Sequence, residues 1–360
     1  MRWELIFLTL FVPFFFAPWS ICQFVEEDLD KLWQQFKFTE NNQYMYKPIK
    51  IDNELDRYWE EFKEKFNKTY SGFHDTSKRA AWEDNVRKIR KHNEEAAQGH
   101  HSYFIKENHL SDLSPKIYLQ KMVKLTKSIH RKTPHENLIG DIYHHMHDLP
   151  EEINWVEKGF RTPVYNQKDC GSCYAFSVAL TIQGQVFKQT KQLVPLSEQQ
   201  IIDCSVKSGN YGCGGGSLRN TLKYLDNSGG LMAYSDYPYK AKQQTCKFDK
   251  SRTIANVSSW AILPARDEKA LEIAIAKIGP IAASINASPR TFQLYHKGIY
   301  DDPLCSSNVV NHAMLIVGYT KDAWILKNWW GNHWGEDGYM RLKRHKNRCG
   351  VANYAAYAIV

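Results

Sequence analysis

Hydrophobic positions change rhythm several times along the chain. Residues 5–21 form an almost unbroken apolar run behind Arg2, ended by Ser20-Ile21-Cys22 with small residues where signal peptidase reads. The run is short for a membrane span and is interrupted by Pro13 and Pro18, so it predicts a secretory signal (residues 1–22) removed near Cys22-Gln23. Helical spacing follows twice. Leu29, Leu32, Trp33 and Phe36, and then Leu55, Tyr58, Trp59 and Phe62, stand at i, i+3, i+4, i+7, which predicts two amphipathic helices with aromatic faces. The second copy lies 26 residues after the first, and one duplicate is too few for a solenoid. Trp82, Asn85, Ile89 and Asn93 share one face of a further helix. Periodicity then fails over residues 124–148, which turn polar and His-rich (His144-His145-Met146-His147) and read as an exposed linker cut during maturation. Beyond it, Ala175, Val178, Ala179, Ile182 and Val186 predict a buried helix that starts at Cys173. Residues 198–204 predict a short helix capped by Ser197, and residues 281–285, 313–319, 323–328 and 338–343 predict strands. The fold class is α+β: a helix-leaning half and a strand-rich half, with a cleft expected between them.

Composition narrows this picture. A chain of 360 residues with 43 % hydrophobic content has ample material for a core. The formal charge of +8 falls wholly in residues 149–360, with 25 Lys+Arg against 17 Asp+Glu. Those basic residues are scattered except at 341–346, so they read as a solvated face and nucleic acid is not expected as a partner. No later segment is apolar enough to cross a bilayer. Of eight cysteines, Cys22 lies in the signal. The remaining seven flag one free thiol, and the other six allow fifteen pairings among which sequence cannot choose. No Cys-x2-Cys pair is duplicated and the His-rich tract has no carboxylate or Cys frame, so neither a metal nor a cofactor is expected.

The chemistry concentrates at Cys173. A thiol at a helix N-terminus faces unpaired backbone N–H groups and the positive end of the dipole, which favours thiolate. Gln167, six residues earlier, offers a side-chain amide that can join the Cys173 N–H in an oxyanion hole. His312 opens one strand-like run and Asn328 follows another, 139 and 155 residues after the cysteine. The string Cys170-Gly171-Ser172-Cys173-Tyr174 with such a downstream His and Asn resembles the active-site signature of papain-like cysteine proteases. The resemblance covers nearly all of residues 149–360. More loosely it covers 53–112, where the second helix copy, the Trp82 face and the stretch from Lys106 to Asp112 resemble the inhibitory prosegment of cathepsin L-like enzymes.

That resemblance implies a two-lobed papain-like fold, with a helical left lobe, an antiparallel β-barrel-like right lobe and an N-terminal helical prosegment. The expected organisation is an extension with the first helix copy at 23–52, an inhibitory prosegment at 53–123, the linker at 124–148 and a mature peptidase domain at 149–360. The implied activity is that of a cysteine endopeptidase made as a secreted or lysosomal zymogen. Cys173 is its nucleophile, His312 its base and acid, Asn328 the group that orients the imidazole, and Gln167 an oxyanion donor. Trp330 would shield the His312–Asn328 contact, and Trp334 would line the leaving-group side. Gly215 and Gly216 would pair with an extended peptide beside Asn311. Ser217, Leu218, Ser284, Val310 and Ala313 would form the main specificity pocket, with Tyr354 at its floor. A Tyr floor makes that pocket shallow, suited to Val or Leu and unsuited to Phe or Arg. The implied disulfides are Cys170–Cys213, Cys204–Cys246 and Cys305–Cys349, leaving Cys173 free. Partners would be peptide substrates and the chain's own prosegment, for a monomer in the secretory pathway, lysosome or extracellular space.

Two departures matter. Tyr174 replaces the usual Trp, and Trp329 stands where Ser is common, a large addition beside the triad. Trp329 and the altered pocket keep open a rival class, a catalytically silent papain-fold protein that binds peptides or other proteases. Asn67, Asn256 and Asn286 lie in glycosylation sequons. Ten of the fourteen histidines precede residue 149, so acid would charge the prosegment against a basic partner. His74, His92 and His109, inside the docking motifs, are expected to matter most.

Overall fold

The computed structural model describes residues 51–127 and 148–360. Every described residue belongs to one compact unit, Ile49–Val360. The signal run, the first helix copy and the His-rich tract lie outside the described residues.

The N-terminal segment from residue 51 is built on aromatic packing. Helices α1 (Asp56–Lys65) and α2 (Gly72–Ala97) press Trp59 and Phe62 of the first onto Trp82 of the second, at ring separations of 5.4 and 5.9 Å. Leu55 completes this small core, which is separate from the main one. The buried Trp82 indole donates to Glu107 at 2.6 Å, which satisfies its polar edge. Strand β1 (Tyr103–Ile105) and helix α3 (Pro115–Met122) follow. Ser114 caps α3 by accepting from the Ile117 N–H, and Pro115 occupies the first turn, where no N–H is needed.

The remainder forms two lobes. After β2 (Ile153–Asn154) come α4 (Cys173–Thr190), α5 (Glu198–Cys204) and α6 (Leu218–Ser228), with Ser197 and Ser217 capping the last two. Then follow β3 (Leu231–Met232), β4 (Thr253–Ala255), β5 (Ser259–Ile262), α7 (Glu268–Lys277) and β6 (Ile281–Ile285). The chain ends with α8 (Arg290–Gln293), β7 (Tyr295–Tyr300), β8 (His312–Tyr319), β9 (Ala323–Lys327), β10 (Tyr339–Lys343) and β11 (Ala355–Ile359). The large sheet runs β1-β7-β10-β9-β8-β6-β11-β5, with β2 also on β8. All its pairings are antiparallel except β10 with β7. Strand β1 pairs with β7, Tyr103 opposite Gly298, so one sheet is continuous across the N-terminal segment and the region after residue 149.

Two elements fix the site. α4 is covered on nearly every side, with fourteen of its eighteen residues buried, so the residue at its N-terminus is held by a rigid element. All eight residues of β8 are buried, and its first residue, His312, lies opposite Ile285 of β6. Disulfides join Cys170–Cys213, Cys204–Cys246 and Cys305–Cys349, the pairing that the resemblance implies.

Candidate active site

The imidazole is oriented by an amide whose own orientation is fixed. The Asn328 Oδ1 accepts the Trp329 backbone N–H at 2.9 Å and lies 2.9 Å from His312 Nε2. An atom that accepts from a backbone N–H is the amide oxygen, so Nε2 carries the hydrogen and Nδ1 presents a lone pair. Nδ1 has no hydrogen-bond partner. The Trp330 ring lies 4.9 Å from the His312 ring and covers it.

Gln167 is tied to the same loop, because its N–H donates to the Trp329 carbonyl at 2.8 Å. Its side-chain amide donates to the Cys170 carbonyl at 3.1 Å and to the Met122 carbonyl at 3.3 Å. Cys173 is the free thiol among the described residues and is fully buried. Its sulfur meets the backbone of Ala313, next to His312, and of Lys124, besides the N–H groups of Tyr174 and Cys173 itself.

Burial reverses the expectation of a thiolate while the segment covering Cys173 is in place. Burial pushes the Cys173 thiol up to about 11, and the four backbone contacts offset only part of that. Burial likewise lowers His312 to about 4 despite the Asn328 hydrogen bond. With the prosegment in place, both groups are neutral at physiological pH. The helix N-terminus is correctly located, but desolvation outweighs its dipole.

The segment from Met122 to Thr126 does the covering. The Leu125 N–H donates to the Asn311 carbonyl at 2.9 Å, the Thr126 N–H to Gly216 at 2.8 Å, and the Gly216 N–H to Lys124 at 3.3 Å. Gly215, at φ 118°, admits this approach: a Cβ there would stand 2.2 Å from the Lys124 carbonyl oxygen. A Cβ on Gly171 would meet the Lys124 side chain at 2.6 Å. Lys124 to Thr126, expected at the start of the exposed linker, therefore lie in the cleft.

Beside Leu125 a pocket of about 470 Å³ is lined by Ser217, Leu218, Val310 and Tyr354, as expected, and also by Asn308 and Asn353. Ser284 and Ala313 do not line it. They stand opposite each other on β6 and β8, fully buried while the propeptide is in place. Trp334 is buried against Phe292, Tyr295 and Trp330, its indole donating to the Phe292 carbonyl at 2.9 Å. Trp329 does not enlarge the site. It is fully buried, stacks on Phe176 at 5.5 Å and donates to the Ala313 carbonyl at 2.8 Å.

Comparison with known proteins bears directly on this geometry. Residues 149–359 match the model of the papain family cysteine proteases, and residues 59–118 match the cathepsin propeptide inhibitor domain. The chain belongs to the papain family. Cathepsin K of Mus musculus is 39 % identical over 361 residues, covering 99 % of each chain. Procathepsin L of Rattus norvegicus is 39 % identical over 294 residues, 79 % of this chain and 86 % of its own. Among solved structures, digestive procathepsin L 3 of the Tenebrio molitor larval midgut superposes with a TM-score of 0.74 at 32 % identity, over 86 % of this chain and all of the other. The protein is thus a papain-family cysteine peptidase made with its own inhibitory propeptide, in the cathepsin L-like manner.

Further residues of this cathepsin-like site were not singled out in the sequence. The Tyr239 hydroxyl donates to the Gln167 carbonyl at 2.7 Å and lies 2.8 Å from the Ser172 hydroxyl, bracing the turn into α4 from 72 residues away. Nothing in the local pattern marks it. Glu198, at the first turn of α5, is wholly buried and its acid is pushed up to about 8 by desolvation. His333 was also missed. It stands across the propeptide interface from His109, at 6.3 Å, and takes the edge of Phe66 at 5.3 Å.

The propeptide also docks on a platform away from the cleft. Asn108 donates to the Gln293 carbonyl at 3.0 Å, Gln293 donates back to the Leu110 carbonyl at 2.8 Å, and the Tyr118 hydroxyl donates to Ala287 at 2.6 Å. Asp112 is buried and holds Lys68 at 3.3 Å, Lys78 at 3.7 Å and the Tyr70 hydroxyl. Neither ring nitrogen of His109 has a partner, and burial beside Lys68 lowers it to about 4. His92 is buried, stacked on His101 at 4.2 Å, and lowered by desolvation. His74, the third histidine inside the docking motifs, is exposed.

Proposed function

We propose that Cys173 is the nucleophile of the peptidase and that His312, Asn328 and Gln167 complete its machinery. The observation that carries this reading is the propeptide strand itself, which lies on the Cys173 sulfur with a carbonyl on the Gln167 amide. Once the strand leaves, water reaches the sulfur and the burial that holds thiol and imidazole neutral is relieved. Proton transfer from Cys173 to His312 Nδ1 then gives a thiolate–imidazolium pair. The thiolate adds to the scissile carbonyl, and the oxyanion takes hydrogen bonds from Gln167 Nε2 and the Cys173 N–H. Collapse expels the amine, which takes the His312 proton, and leaves a thioester. Water attacks that thioester as His312 accepts its proton, and the acid departs with the proton returned to sulfur.

The residues that follow Lys124, rather than those that precede it, fill the pocket, so the propeptide lies in the groove in the sense opposite to a productive substrate. The pocket would take Val or Leu at the second position before the cut and disfavour Phe and Arg, with Trp334 on the leaving-group side. The working division is an extension at 23–52, a prosegment at 53–123 extended by the cleft residues 124–126, a cut within the linker up to 148, and a mature domain at 149–360. We place the enzyme in the secretory pathway, in the lysosome or outside the cell, as a monomer without stable membrane insertion. Among the described residues no helix is long and apolar enough to cross a membrane. Asn67 and Asn256 are exposed sequons, whereas Asn286 is buried and unsuited to a glycan.

The test is labelling with a thiol-directed peptidyl electrophile after acid treatment. Modification at Cys173, kept when Cys170 is replaced and accompanied by peptide turnover, is the expected result. An unlabelled, inactive product would leave the chain a papain-fold binder.

A further inference from the structure

The residue that closes the specificity pocket does not stand alone. Arg219, the second residue of α6, donates from Nε to the Tyr354 hydroxyl at 3.1 Å, and its guanidinium carbon lies 5.8 Å from the centre of the Tyr354 ring. The two residues are 135 positions apart and come from different lobes. Each is anchored by its backbone next to the pocket. Arg219 follows Leu218, which lines it, and the Tyr354 carbonyl accepts the Ser284 N–H at 2.8 Å. With the backbone tied, the direction of the phenol depends on what its ring and hydroxyl meet. A guanidinium that both donates to the oxygen and lies over the ring holds that direction more firmly than either contact alone. No carboxylate lines the pocket: the polar residues of the mature domain there are Ser217, Asn308 and Asn353 beside the Tyr354 hydroxyl, and the propeptide adds Thr126 and Lys127 at its edge.

We propose that Arg219 is a specificity-determining positioning residue: it holds the Tyr354 ring across the end of the pocket, limiting the pocket's depth, and its charge opposes cationic side chains there. The proposal rests on the reading that this pocket receives the second residue before the cut. Tyr354 forms the floor, and Arg219 decides where the floor lies.

The experiment measures kcat and KM of the acid-matured enzyme, with Arg219→Met, Arg219→Lys, Tyr354→Phe and the Arg219→Met/Tyr354→Phe pair, on peptides carrying Leu, Phe or Arg at that position. Wild type should prefer Leu. Arg219→Met should raise the Phe-to-Leu ratio of kcat/KM by about 5- to 20-fold, mostly through KM, as a freed ring yields space worth one or two methylenes. Tyr354→Phe, a conservative change that removes the acceptor, should move the ratio the same way. The double variant should add little to Arg219→Met, because the hydrogen bond that Tyr354→Phe removes is already lost there. Arg219→Lys should keep the discrimination against Arg while losing part of that against Phe. Equal loss on all three peptides, or an unchanged ratio in both single variants, would overturn the proposal. A wild type that does not prefer Leu to Phe would instead overturn the pocket assignment beneath it.

Discussion

The cleft and the platform hold the same propeptide by different means. Over the cleft, Lys124 to Thr126 are tied by backbone hydrogen bonds to Gly216 and Asn311, and the Met122 carbonyl sits on Gln167. None of those tying groups titrates near neutral pH. On the platform the direct bonds join Asn108, Leu110 and Tyr118 to Gln293 and Ala287, and behind them, within the propeptide, lie His92 and His109, both lowered by desolvation, and the Asp112 cluster with Lys68 and Lys78. Occlusion and release are therefore assigned to different parts of one segment. A change in the cleft should alter catalysis and inhibition at every pH, and a change on the platform should alter where on the pH scale the two parts separate.

The sharpest way to break that division is at the nucleophile. Cys173→Ser should lower peptide turnover by about 10⁴-fold or more while leaving the precursor docked, because the platform does not touch the sulfur. Turnover is read on acid-treated protein and docking by amide exchange at Leu125 and Thr126. Gln167→Ala tests a donor used in both states. It should cost the matured enzyme about 10²- to 10³-fold in kcat, but the precursor only the two hydrogen bonds to Cys170 and Met122, about 1–3 kcal/mol by urea unfolding. On the platform, Asp112→Ala leaves Lys68 and Lys78 without their carboxylate and should weaken docking by about 2–4 kcal/mol, with kcat/KM of the separated enzyme unaltered. A fall in kcat/KM there would mean that platform and cleft are coupled. At Trp329, Phe keeps the stack on Phe176 but loses the bond to Ala313 and leaves a small void, about 1–3 kcal/mol by thermal unfolding with kcat/KM little changed.

Much of this was legible because the features were local. The helix at Cys173 rests on one apolar rhythm, and the expected strands at 281–285 and 313–319 match β6 and β8 to within a residue. The disulfides and the grouping of Gln167, His312 and Asn328 came from a family pattern rather than from local chemistry. What escaped were properties that exist only after folding. The protonation of Cys173 depends on the segment that covers it, and no rule about helix N-termini contains that segment. That Ser284 and Ala313 are cross-strand neighbours on β6 and β8 is a matter of register, which only the folded sheet shows. Tyr239 and His333 act through contacts made across the fold, and their neighbours in sequence give no sign of it. Trp329, a reason to doubt the enzyme when read as a bulky insertion, is a core residue facing Phe176.

The central claim, that the platform senses acid, is tested most directly at His109. The groups facing it are Lys68 and Asp112 from the propeptide and His333 from the enzyme. Docked, its ring is held near 4, below the ordinary value of about 6.5. Above that ordinary value it is neutral in both states and docking is undisturbed. As pH falls below it the released ring takes a proton that the docked ring refuses, so docking weakens across the interval down to about 4. The measurement is the pH midpoint at which Leu125 and Thr126 lose amide protection, corrected for intrinsic exchange, in a full-length Cys173→Ser precursor with and without His109→Gln. The account predicts a midpoint about half a pH unit lower in the Gln variant, with His92 and the other groups supplying the rest of the transition. An unmoved midpoint would contradict it.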